Sequence, residues 1–326
     1  MLANSQTSIK EPVLIVGVGN MGGDLAALAG KLCGCDSLHI NYDSNFSYPT
    51  STKIKISTEG WINPSVSKLR SFAAKQLAEL KEAIRNYRTL VVISNLAGRG
   101  GAAIAPLICE LAKSNSCSIV SVATMPFAFE HNKIFSSGVA LRRVRESSDS
   151  VIVVDNQAFL ENNPESSQRE CFTLTNKCIV DVVSHLVKTG NNSSELSLAT
   201  TASSAHGIES ALESSISSLY PQLLSSTAVS STILHVIGGS AIPLSQLRDL
   251  VESTRGALSE SGTSQVTIAS LNSSGDSQVH LVTSVMSETK FDRYDPLAQI
   301  IPKENVLDWD DLETASDLPL SVFNLE

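Results

Sequence analysis

The segment Val120-Ser-Val-Ala-Thr-Met-Pro-Phe-Ala-Phe-Glu130 decides the fold, together with two glycine-bearing turns upstream of it. The turns are Gly17-Val-Gly19-Asn-Met-Gly22-Gly23 and Ala97-Gly98-Arg99-Gly100-Gly101, and each follows an apolar run. Those runs, Val13–Val18 and Thr89–Ser94, are typical of buried parallel strands. A glycine-rich turn between a strand and a helix lets backbone N–H groups approach phosphate oxygens. The three segments together indicate a nucleotide site at the ends of parallel strands.

Length and composition set the class of protein. The chain has 326 residues, of which 42% are apolar and 17% charged, and its formal net charge is −9. These values are typical of a soluble globular protein of two domains. The excess of acids argues against a nucleic-acid partner, because phosphate backbones require Lys and Arg clusters. Residues 1–11 lack a signal peptide, and no stretch approaches the roughly 20 apolar residues of a membrane span, so we expect no membrane insertion and a cytoplasmic location.

The six cysteines form no C-x-x-C pair. Cys33 and Cys35 are too close together for the usual zinc spacing. We expect free, mostly buried thiols and no metal site.

Apolar runs alternate with helical spacing along the first half of the chain, which predicts βαβ units and a parallel sheet covered on both faces. The predicted strands are Val13–Val18, Leu38–Asn41, Thr89–Ser94, Cys117–Thr124 and Ser150–Asp155. The predicted helices are Asp24–Cys33, a long helix from Asn63 to Ile84, Ala102–Lys113 and Asn132–Glu146. The fold class is therefore α/β, with a parallel-sheet nucleotide-binding domain.

A long central helix is predicted from about Ser167 to Lys188, and the Ser-, Thr- and Asn-rich stretch Thr189–Ala205 is predicted to be a linker loop. A smaller α+β domain follows, with helices Ile208–Tyr220 and Pro243–Leu258 and strands Thr232–Ile237, Gln265–Ser270 and Gln278–Ser284. The predicted organisation is a flexible N-terminus (1–11), the nucleotide-binding domain (12–166), the central helix and linker (167–205), the α+β domain (206–286) and an acidic, disordered tail (287–326).

Taken in order, these motifs resemble the nucleotide-binding domain of the FtsZ/tubulin superfamily. The two glycine turns stand where that family has a glycine run closing in Asn and a Gly-Gly-Gly-Thr-Gly-Thr-Gly loop. Further matches are Asn41-Tyr42-Asp43 to its Asn-Thr-Asp, Asn63-Pro64 to its Asn-Pro, Thr124-Met-Pro-Phe-Ala-Phe-Glu130 to its Thr-x-Pro-Phe-x-Phe-Glu, and Val151-Ile-Val-Val-Asp-Asn156 to its strand ending in a nucleotide-binding Asn. The resemblance extends over about residues 12 to 286.

The resemblance implies a site for GTP or GDP, with Mg²⁺ as a companion ion. The residues that it implies are Gly19, Asn20, Met21, Gly22, Gly23, Asn41, Gly98, Arg99, Gly100, Gly101, Glu130, Asn156, Phe172 and Asn176. It also implies head-to-tail filaments with copies of the same chain or with an FtsZ-family relative, in cell division or cell shape. The expected location is then the division site or the region beneath the membrane.

Several positions depart from the family pattern. With Phe172 and Asn176 as anchors, Lys177 stands where the family has an acid that accepts from guanine, and lysine offers only donors. Ile134 replaces an Arg, and both threonines of the second turn are absent. Asp24 places a negative charge near the phosphates, which opposes binding, or it is simply an acid favoured at a helix start.

Arg99 is a gain relative to the family pattern. A guanidinium in the second glycine turn could bind phosphate through two hydrogen bonds and offset the missing threonines. The alternative is an exposed arginine that pairs with an acid or with solvent.

Hydrolysis is expected to be impaired or absent. In the family, acids on the loop after the central helix orient the attacking water. The stretch Thr189–Ala205 holds one acid, Glu195, where the family has two aspartates. Loss of a water-positioning group commonly costs orders of magnitude in rate. Glu195 is therefore a weak catalytic candidate, and a degenerate linker is the preferred interpretation.

The end of the chain mixes apolar residues with acids. Trp309, Leu318, Pro319 and Phe323 lie in a stretch that lacks the periodicity of a folded element. Such a segment is typical of one that docks into a partner. FtsZ-like proteins carry a terminal peptide that binds membrane anchors, which makes a membrane-anchor or division protein the expected partner. The alternative is a tail that packs against its own body.

Two other functions fit part of the sequence. Gly17-x-Gly19-x-x-Gly22 with Asp43 downstream is a formal dinucleotide fingerprint, which would indicate a NAD-dependent dehydrogenase, although no hydride-transfer site follows. Within the superfamily, an active polymerising GTPase is the second alternative. The preferred hypothesis is a divergent FtsZ-like cytoskeletal protein with a degenerate GTP site.

Overall fold

A computed structural model of the protein describes residues 7–43, 52–192, 196–224, 228–238, 242–258, 265–272 and 277–296. The strands are β1 Thr7–Ser8, β2 Val13–Val18, β3 Asp36–Asn41, β4 Thr52–Lys55, β5 Thr89–Asn95, β6 Ser118–Met125, β7 Ser150–Asp155, β8 Asn191–Asn192, β9 Leu196–Ser204, β10 Val229–Gly238, β11 Gln265–Asn272 and β12 Ser277–Val285. The helices are α1 Gly19–Cys33, α2 Val66–Lys75, α3 Leu77–Ile84, α4 Arg99–Ser114, α5 His131–Ser147, α6 Asn156–Asn162, α7 Gln168–Thr189, α8 Ile208–Leu219 and α9 Leu244–Leu258. Two 3₁₀ helices are η1 Tyr220–Gln222 and η2 Lys290–Tyr294.

Ten strands form one sheet in the order β11-β10-β12-β9-β7-β6-β5-β2-β3-β4. The strands from β4 to β7 are all parallel, and β9 continues the sheet parallel to β7. Beyond β9 the sheet is mixed, because β12 runs antiparallel to both of its neighbours. The predicted α/β class with a parallel sheet is confirmed.

The sheet is covered on both faces. Alternate residues of β2 point to opposite sides: Leu14, Val16 and Val18 pack with α2, α3, α4 and α5, whereas Val13 and Ile15 pack with α1 and α7. The first of these apolar clusters continues into α8, β10 and β12. Both halves of the chain therefore share one core.

The strand β9 lies where the sequence predicts a linker loop, so that prediction is wrong. A loop is expected over Thr189–Ala205, but Leu196–Ser204 is a strand in the middle of the sheet. Its hydroxyl groups are buried with partners: Thr200 Oγ1 donates to a carbonyl of α8 at 2.9 Å, and Thr201 Oγ1 lies 2.8 Å from His280 Nδ1. A strand of small polar residues is stable inside a protein when neighbours satisfy its hydroxyl groups.

Both ends of the described chain are more ordered than predicted. Residues 1–11 are expected to be flexible, yet β1 pairs antiparallel with β8 and the Lys10 N–H donates to Thr89 Oγ1 at 2.8 Å. The predicted disordered tail, 287–326, begins with η2, which packs against α5; residues 297–326 lie outside the described residues. The ion pairs between α5 and this segment are Arg142–Asp295 at 3.3 Å and Arg145–Asp292 at 2.5 Å.

Three helix boundaries differ from prediction. α1 begins at Gly19 and α4 begins at Arg99, each before its predicted start, so both glycine turns are the first turns of helices. The long helix predicted from Asn63 to Ile84 is divided into α2 and α3. The break falls at Gln76, whose Oε1 accepts from the Ser57 N–H at 2.7 Å and so ties the helix junction to the loop after β4.

The central helix α7 is confirmed as a single element of 22 residues. It begins with a capping box formed by Ser167 and Glu170, and it ends at Gly190 in the left-handed conformation. None of the helices in the described ranges combines the length and apolar character that crossing a bilayer requires. All six cysteines are free thiols, and burial raises the pKa of Cys171 to about 12.

Candidate nucleotide site

The predicted site residues lie along one edge of the sheet. The carboxyl ends of β3, β2, β5, β6 and β7 follow one another in that order, with neighbouring strands about 4.8 Å apart, so this edge spans about 19 Å. The first glycine turn follows β2 and the second follows β5. Asn41 ends β3, Glu130 comes shortly after β6, and Asn156 comes directly after β7.

Glycine is required at three positions near the start of α1, one because of its backbone conformation and two because neighbouring atoms leave no space for a side chain. Gly19 has a φ of +75°, a conformation that favours glycine. A Cβ at Gly22 would lie 2.4 Å from the Ile93 carbonyl oxygen, and one at Gly23 would lie 2.2 Å from the ring of His39. These glycines let the helix pack closely on β3 and β5 while its N-terminus reaches the edge of the sheet.

The start of α4 is built in the same way and faces the start of α1. A Cβ at Gly101 would lie 1.9 Å from the Asn95 carbonyl oxygen. At Gly100 a Cβ would meet the Tyr42 ring at 3.5 Å and Gly19 Cα at 3.7 Å, so the two helix starts are close neighbours. Neither helix has a side-chain cap. Two uncapped N-termini that converge attract an anion, since their N–H groups and dipoles point toward it.

Asn41 organises the polar end of the site. Its Nδ2 donates to Asn20 Oδ1 at 2.5 Å and to Asp43 Oδ1 at 2.9 Å, and its Oδ1 accepts from the Tyr42 N–H at 2.9 Å. Asn41 is buried, whereas Asn20 and Asp43 are more exposed. The arrangement joins the end of β3 to the first turn of α1.

His39 is a residue that the sequence did not single out. It is fully buried on β3, and its Nε2 lies 3.0 Å from the Gly19 carbonyl oxygen. Burial lowers the pKa of His39, with the Gly19 carbonyl and the carboxylates of Asp24 and Asp43 acting in the opposite direction. The neutral ring therefore donates to Gly19. The signal was available, because His39 and Asn41 have strand spacing and so share one face.

Aromatic rings form the other end of the site. Phe127 stacks on Phe129, with ring centroids 5.0 Å apart and planes at 12°, and it contacts Phe172 of α7 at 5.8 Å. Phe129 is 60% exposed. Asn176 is half-buried one turn after Phe172 on α7. The rings offer a flat apolar surface of the kind on which a nucleobase stacks.

Asn156 completes this end with an unsatisfied acceptor. Its Nδ2 donates to the Met125 carbonyl oxygen at 3.2 Å. Its Oδ1 is buried and has no hydrogen-bond partner among the described residues. A buried acceptor without a partner costs free energy unless a ligand supplies a donor. A base with N–H groups would supply one.

Other predicted site residues are used by the protein itself. Glu130 Oε2 accepts from the Phe127 N–H at 3.1 Å, and its Oε1 accepts from Lys133 Nζ at 2.6 Å. Met21 is partly buried and packs against the apolar cluster on the α1 face of the sheet. Lys177 donates to Gln278 of β12, so its ammonium group is directed to the sheet.

Arg99 is the first residue of α4 and is exposed, and its contact with an anion stays a prediction. Asp24 is half-buried in the second turn of α1, because the helix begins at Gly19, so it is not the first-turn acid that the sequence suggested. Glu195 and the predicted tail residues lie outside the described residues; the latter are Trp309, Leu318, Pro319 and Phe323.

The residues present fit a nucleotide. Helix N-termini suit the phosphates, the phenylalanine rings suit a base, and the buried Asn156 acceptor needs a donor. The described residues include no cluster of three or more His, Cys, Asp or Glu side chains placed to hold a metal.

Sequence comparison gives a family and several relatives. Residues 55–164 match the Tubulin/FtsZ family, GTPase domain. The cell division protein FtsZ 2 of Rhizobium meliloti is 27% identical over 194 residues, which cover 54% of this chain and 56% of the relative. FtsZ of Neisseria meningitidis is 30% identical over 122 residues, covering 37% of this chain and 31% of the relative. The chain thus spans about half or less of the length of these relatives.

Solved structures share the fold. An FtsZ dimer from M. jannaschii superposes with a TM-score of 0.69 and 19% identity, covering 85% of this chain and 88% of that one. A GTPγS-bound CetZ2 protofilament from Haloferax volcanii gives a TM-score of 0.62 and 18% identity, covering 88% and 97%. The order of the motifs, the fold and the family match agree. In its family match and its fold, the chain is thus similar to FtsZ proteins of the FtsZ/tubulin superfamily.

Proposed function

We propose that the protein binds GTP or GDP at the carboxyl edge of the sheet and assembles into filaments, alone or with an FtsZ-family relative. Hydrolysis of GTP is slow or absent. The observation that carries nucleotide binding is the convergence of the uncapped N-termini of α1 and α4 at Gly19 and Gly100. Phosphates would lie between these helices, and the guanine would lie toward Phe127 and Phe172.

Two features of the chain support weak or absent turnover. Between the end of α7 at Thr189 and the start of β9 at Leu196, the sequence offers a single carboxylate, Glu195. A single carboxylate without a partner positions an attacking water poorly. Lys177, where an acid would read guanine, donates to Gln278 instead. The protein's own residues thus bind and orient the nucleotide without supplying an evident base.

Self-association and a role in division are supported by the relatives alone. One structure of the same fold is described as an FtsZ dimer and another as a GTPγS-bound protofilament, and the sequence relatives are named cell division proteins. Head-to-tail contacts that do not close generate open filaments. We expect the protein at the division site or beneath the membrane. A membrane-anchor or division partner for residues 305–326 remains a prediction.

Calorimetric titration with GTP and Mg²⁺, with ATP and NAD as controls, tests the site. The matched variants are Gly100→Ala and Gly256→Ala. A methyl at Gly100 meets its neighbours at 3.5 Å or more, so the fold accepts it, but it lies between the two helix starts where the phosphates would lie. At Gly256 nothing lies within 4 Å.

We expect binding of GTP to the parent chain and to Gly256→Ala, and loss of at least tenfold in affinity for Gly100→Ala, equivalent to about 1.4 kcal/mol. Equal affinity in all three chains would place the nucleotide elsewhere. Binding to NAD alone would restore the dehydrogenase hypothesis. Phosphate release and light scattering with GTP then separate a filament subunit without turnover from an active polymerising GTPase.

A further inference from the structure

An exposed apolar pair stands on the loop between β4 and α2. Trp61 is 56% exposed and Ile62 is 89% exposed. In the described part of the chain, no other two consecutive residues are large, apolar and exposed. Adjacent exposed residues of this kind usually mark a contact surface, because removing their apolar side chains from water is favourable.

The loop that presents this pair is held in one conformation. The Trp61 N–H donates to the Thr58 carbonyl oxygen at 2.9 Å, and Thr58 Oγ1 donates to the Trp61 carbonyl oxygen at 3.2 Å. Glu59 and Asn63 have φ values of 52° and 58°, in the left-handed region that non-glycine residues seldom adopt. Lys75 Nζ pairs with Glu59 at 2.8 Å. A fixed loop loses little entropy when it binds.

Positive charge surrounds the pair in a chain that is acidic overall. Residues 52–76 contain five Lys or Arg residues and one acid, Glu59. Lys68 Nζ lies over the Trp61 ring, 5.1 Å from its centroid. Lys53 and Lys55 are exposed on β4, which is the last strand of the ten-stranded sheet. The surface formed by β4, the loop and the start of α2, termed the Trp61 patch, is therefore basic and apolar.

The sequence contains one segment with the opposite charge and matching apolar residues. Residues 305–326 hold six Asp or Glu, no Lys or Arg, and the aromatic residues Trp309 and Phe323. We propose that this tail segment docks on the Trp61 patch of its own chain. The acids would face the lysines, and the aromatic and leucine side chains would cover Trp61 and Ile62.

The connection is long enough for this contact. The last described residue, Pro296, follows η2, and η2, α5, α4 and α2 lie side by side. Three steps between neighbouring helices cover about 30 Å. The residues from 297 to 309 could span up to about 45 Å when extended. Docking would also cover the outer edge of β4, which pairs with no other strand among the described residues, and free sheet edges invite pairing with other chains.

Fluorine NMR of the full chain carrying 5-fluorotryptophan tests the proposal, because the protein has only two tryptophans, Trp61 and Trp309. Trp61→Phe and Trp309→Phe assign the two resonances. We expect Ile62→Asp and Lys68→Glu each to shift the Trp309 resonance toward its value in a free peptide of residues 305–326. The matched control is Leu244→Asp, at a site 82% exposed on α9, which should leave it unchanged. High salt should act like Lys68→Glu, since it screens exposed charges.

Two results would overturn the proposal. If the Trp309 resonance already equals that of the free peptide and responds to no variant, the tail does not dock on this surface. If the resonance moves to the free value on dilution, the contact joins two copies of the chain rather than one chain to itself. A shift that survives dilution and disappears in Ile62→Asp supports docking within one chain.

Discussion

Gly100 and Gly101 are neighbours at the start of α4, yet a methyl group would meet very different surroundings at the two positions. At Gly101 it would lie 1.9 Å from the Asn95 carbonyl oxygen, and at Gly100 the nearest atom is at 3.5 Å. One glycine is needed to pack the helix against the end of β5. The other keeps the space between α1 and α4 open, which is the space that the proposed ligand requires.

Gly101→Ala is therefore expected to lower the free energy of unfolding. The clash is with backbone, which cannot rotate away, so we expect a loss of about 1–3 kcal/mol or more. Gly256→Ala, near the end of α9 in open space, should instead gain up to about 1 kcal/mol from helix propensity. Urea unfolding of both variants checks this. Equal stability of the two variants would contradict the packing shown here.

The sequence could identify the polar residues of the site but not their contacts. The glycine turns follow strand ends, which indicates a phosphate site, whereas Asn41 is implied by the family resemblance; in the structure Asn41 contacts Asn20 of the first glycine turn. Glu130 accepts hydrogen bonds from Phe127 and Lys133 in its own turn. The spacing of residues in the sequence does not predict these contacts, because they depend on the backbone geometry after β6. His39 belongs to no motif, and although its spacing from Asn41 places both residues on one face of β3, its hydrogen bond to Gly19 is visible only in the structure.

Polar residues on one face of α7 form its contact with the second half of the sheet. Lys177 donates to Gln278, Asp181 Oδ2 lies 3.2 Å from His280 Nε2, and the ring of His185 contacts that of His235 at 4.7 Å. Those three positions on α7 are four residues apart and so share one helix face. His235 lies opposite His280 in the pairing of β10 and β12. The stability that this contact provides should therefore depend on pH.

Burial, with His185 and His280 nearby, lowers the pKa of His235 from 6.5 to about 3. Between these two values the unfolded chain binds a proton that the folded chain does not, so stability falls as the pH falls below 6.5. His235 alone should cost about 2 kcal/mol between about pH 6.5 and about pH 5. Urea unfolding across this range should show a shallower pH dependence for His235→Leu than for the parent chain. His206→Ala, at an exposed histidine, is the control and should keep the full dependence.

A buried ion pair fixes η2 to the end of β7. Lys290 Nζ bonds Asp155, whose side chain is fully buried and also accepts from the Gln157 N–H at 3.1 Å. Burial raises the pKa of Asp155, and Lys290 acts in the opposite direction. Lys290→Met should cost about 3–5 kcal/mol, because it leaves a buried carboxylate without its partner. Adding Asp155→Asn should recover much of that loss in denaturant unfolding, and no recovery would show that the pair is not the cause.

Most elements could be predicted from the sequence, and the exceptions share a physical cause. Apolar runs such as β2 and β5 are recognisable because they are buried on both faces. β9 has the composition of a loop, and it is stable as a strand only through partners such as His280 and Ser215, which are distant in sequence. The order of η2 likewise depends on Asp155, far from it along the chain. Local pattern cannot reveal a partner that is remote in sequence.

The whole molecule should unfold as one unit. β9 joins the parallel strands to the mixed ones, and one apolar cluster extends across both. The division into two domains remains a prediction, but a shared sheet and core favour a single cooperative transition. Far-UV and near-UV circular dichroism should give coincident urea transitions, and calorimetry should show one peak. Two resolved steps, one of them retaining the signal of the parallel half, would contradict this expectation.

The central position of β9 also has a consequence for synthesis on the ribosome. Its neighbour β7 has already emerged when β9 appears, but its other neighbour, β12, begins on the order of 70 residues later. At about 5–20 residues per second, one edge of β9 would wait roughly 4–15 s for its partner. A strongly apolar strand would be a hazard to the nascent chain during that time. The serines and threonines that make β9 look like a loop would therefore also protect the unfinished protein from aggregation.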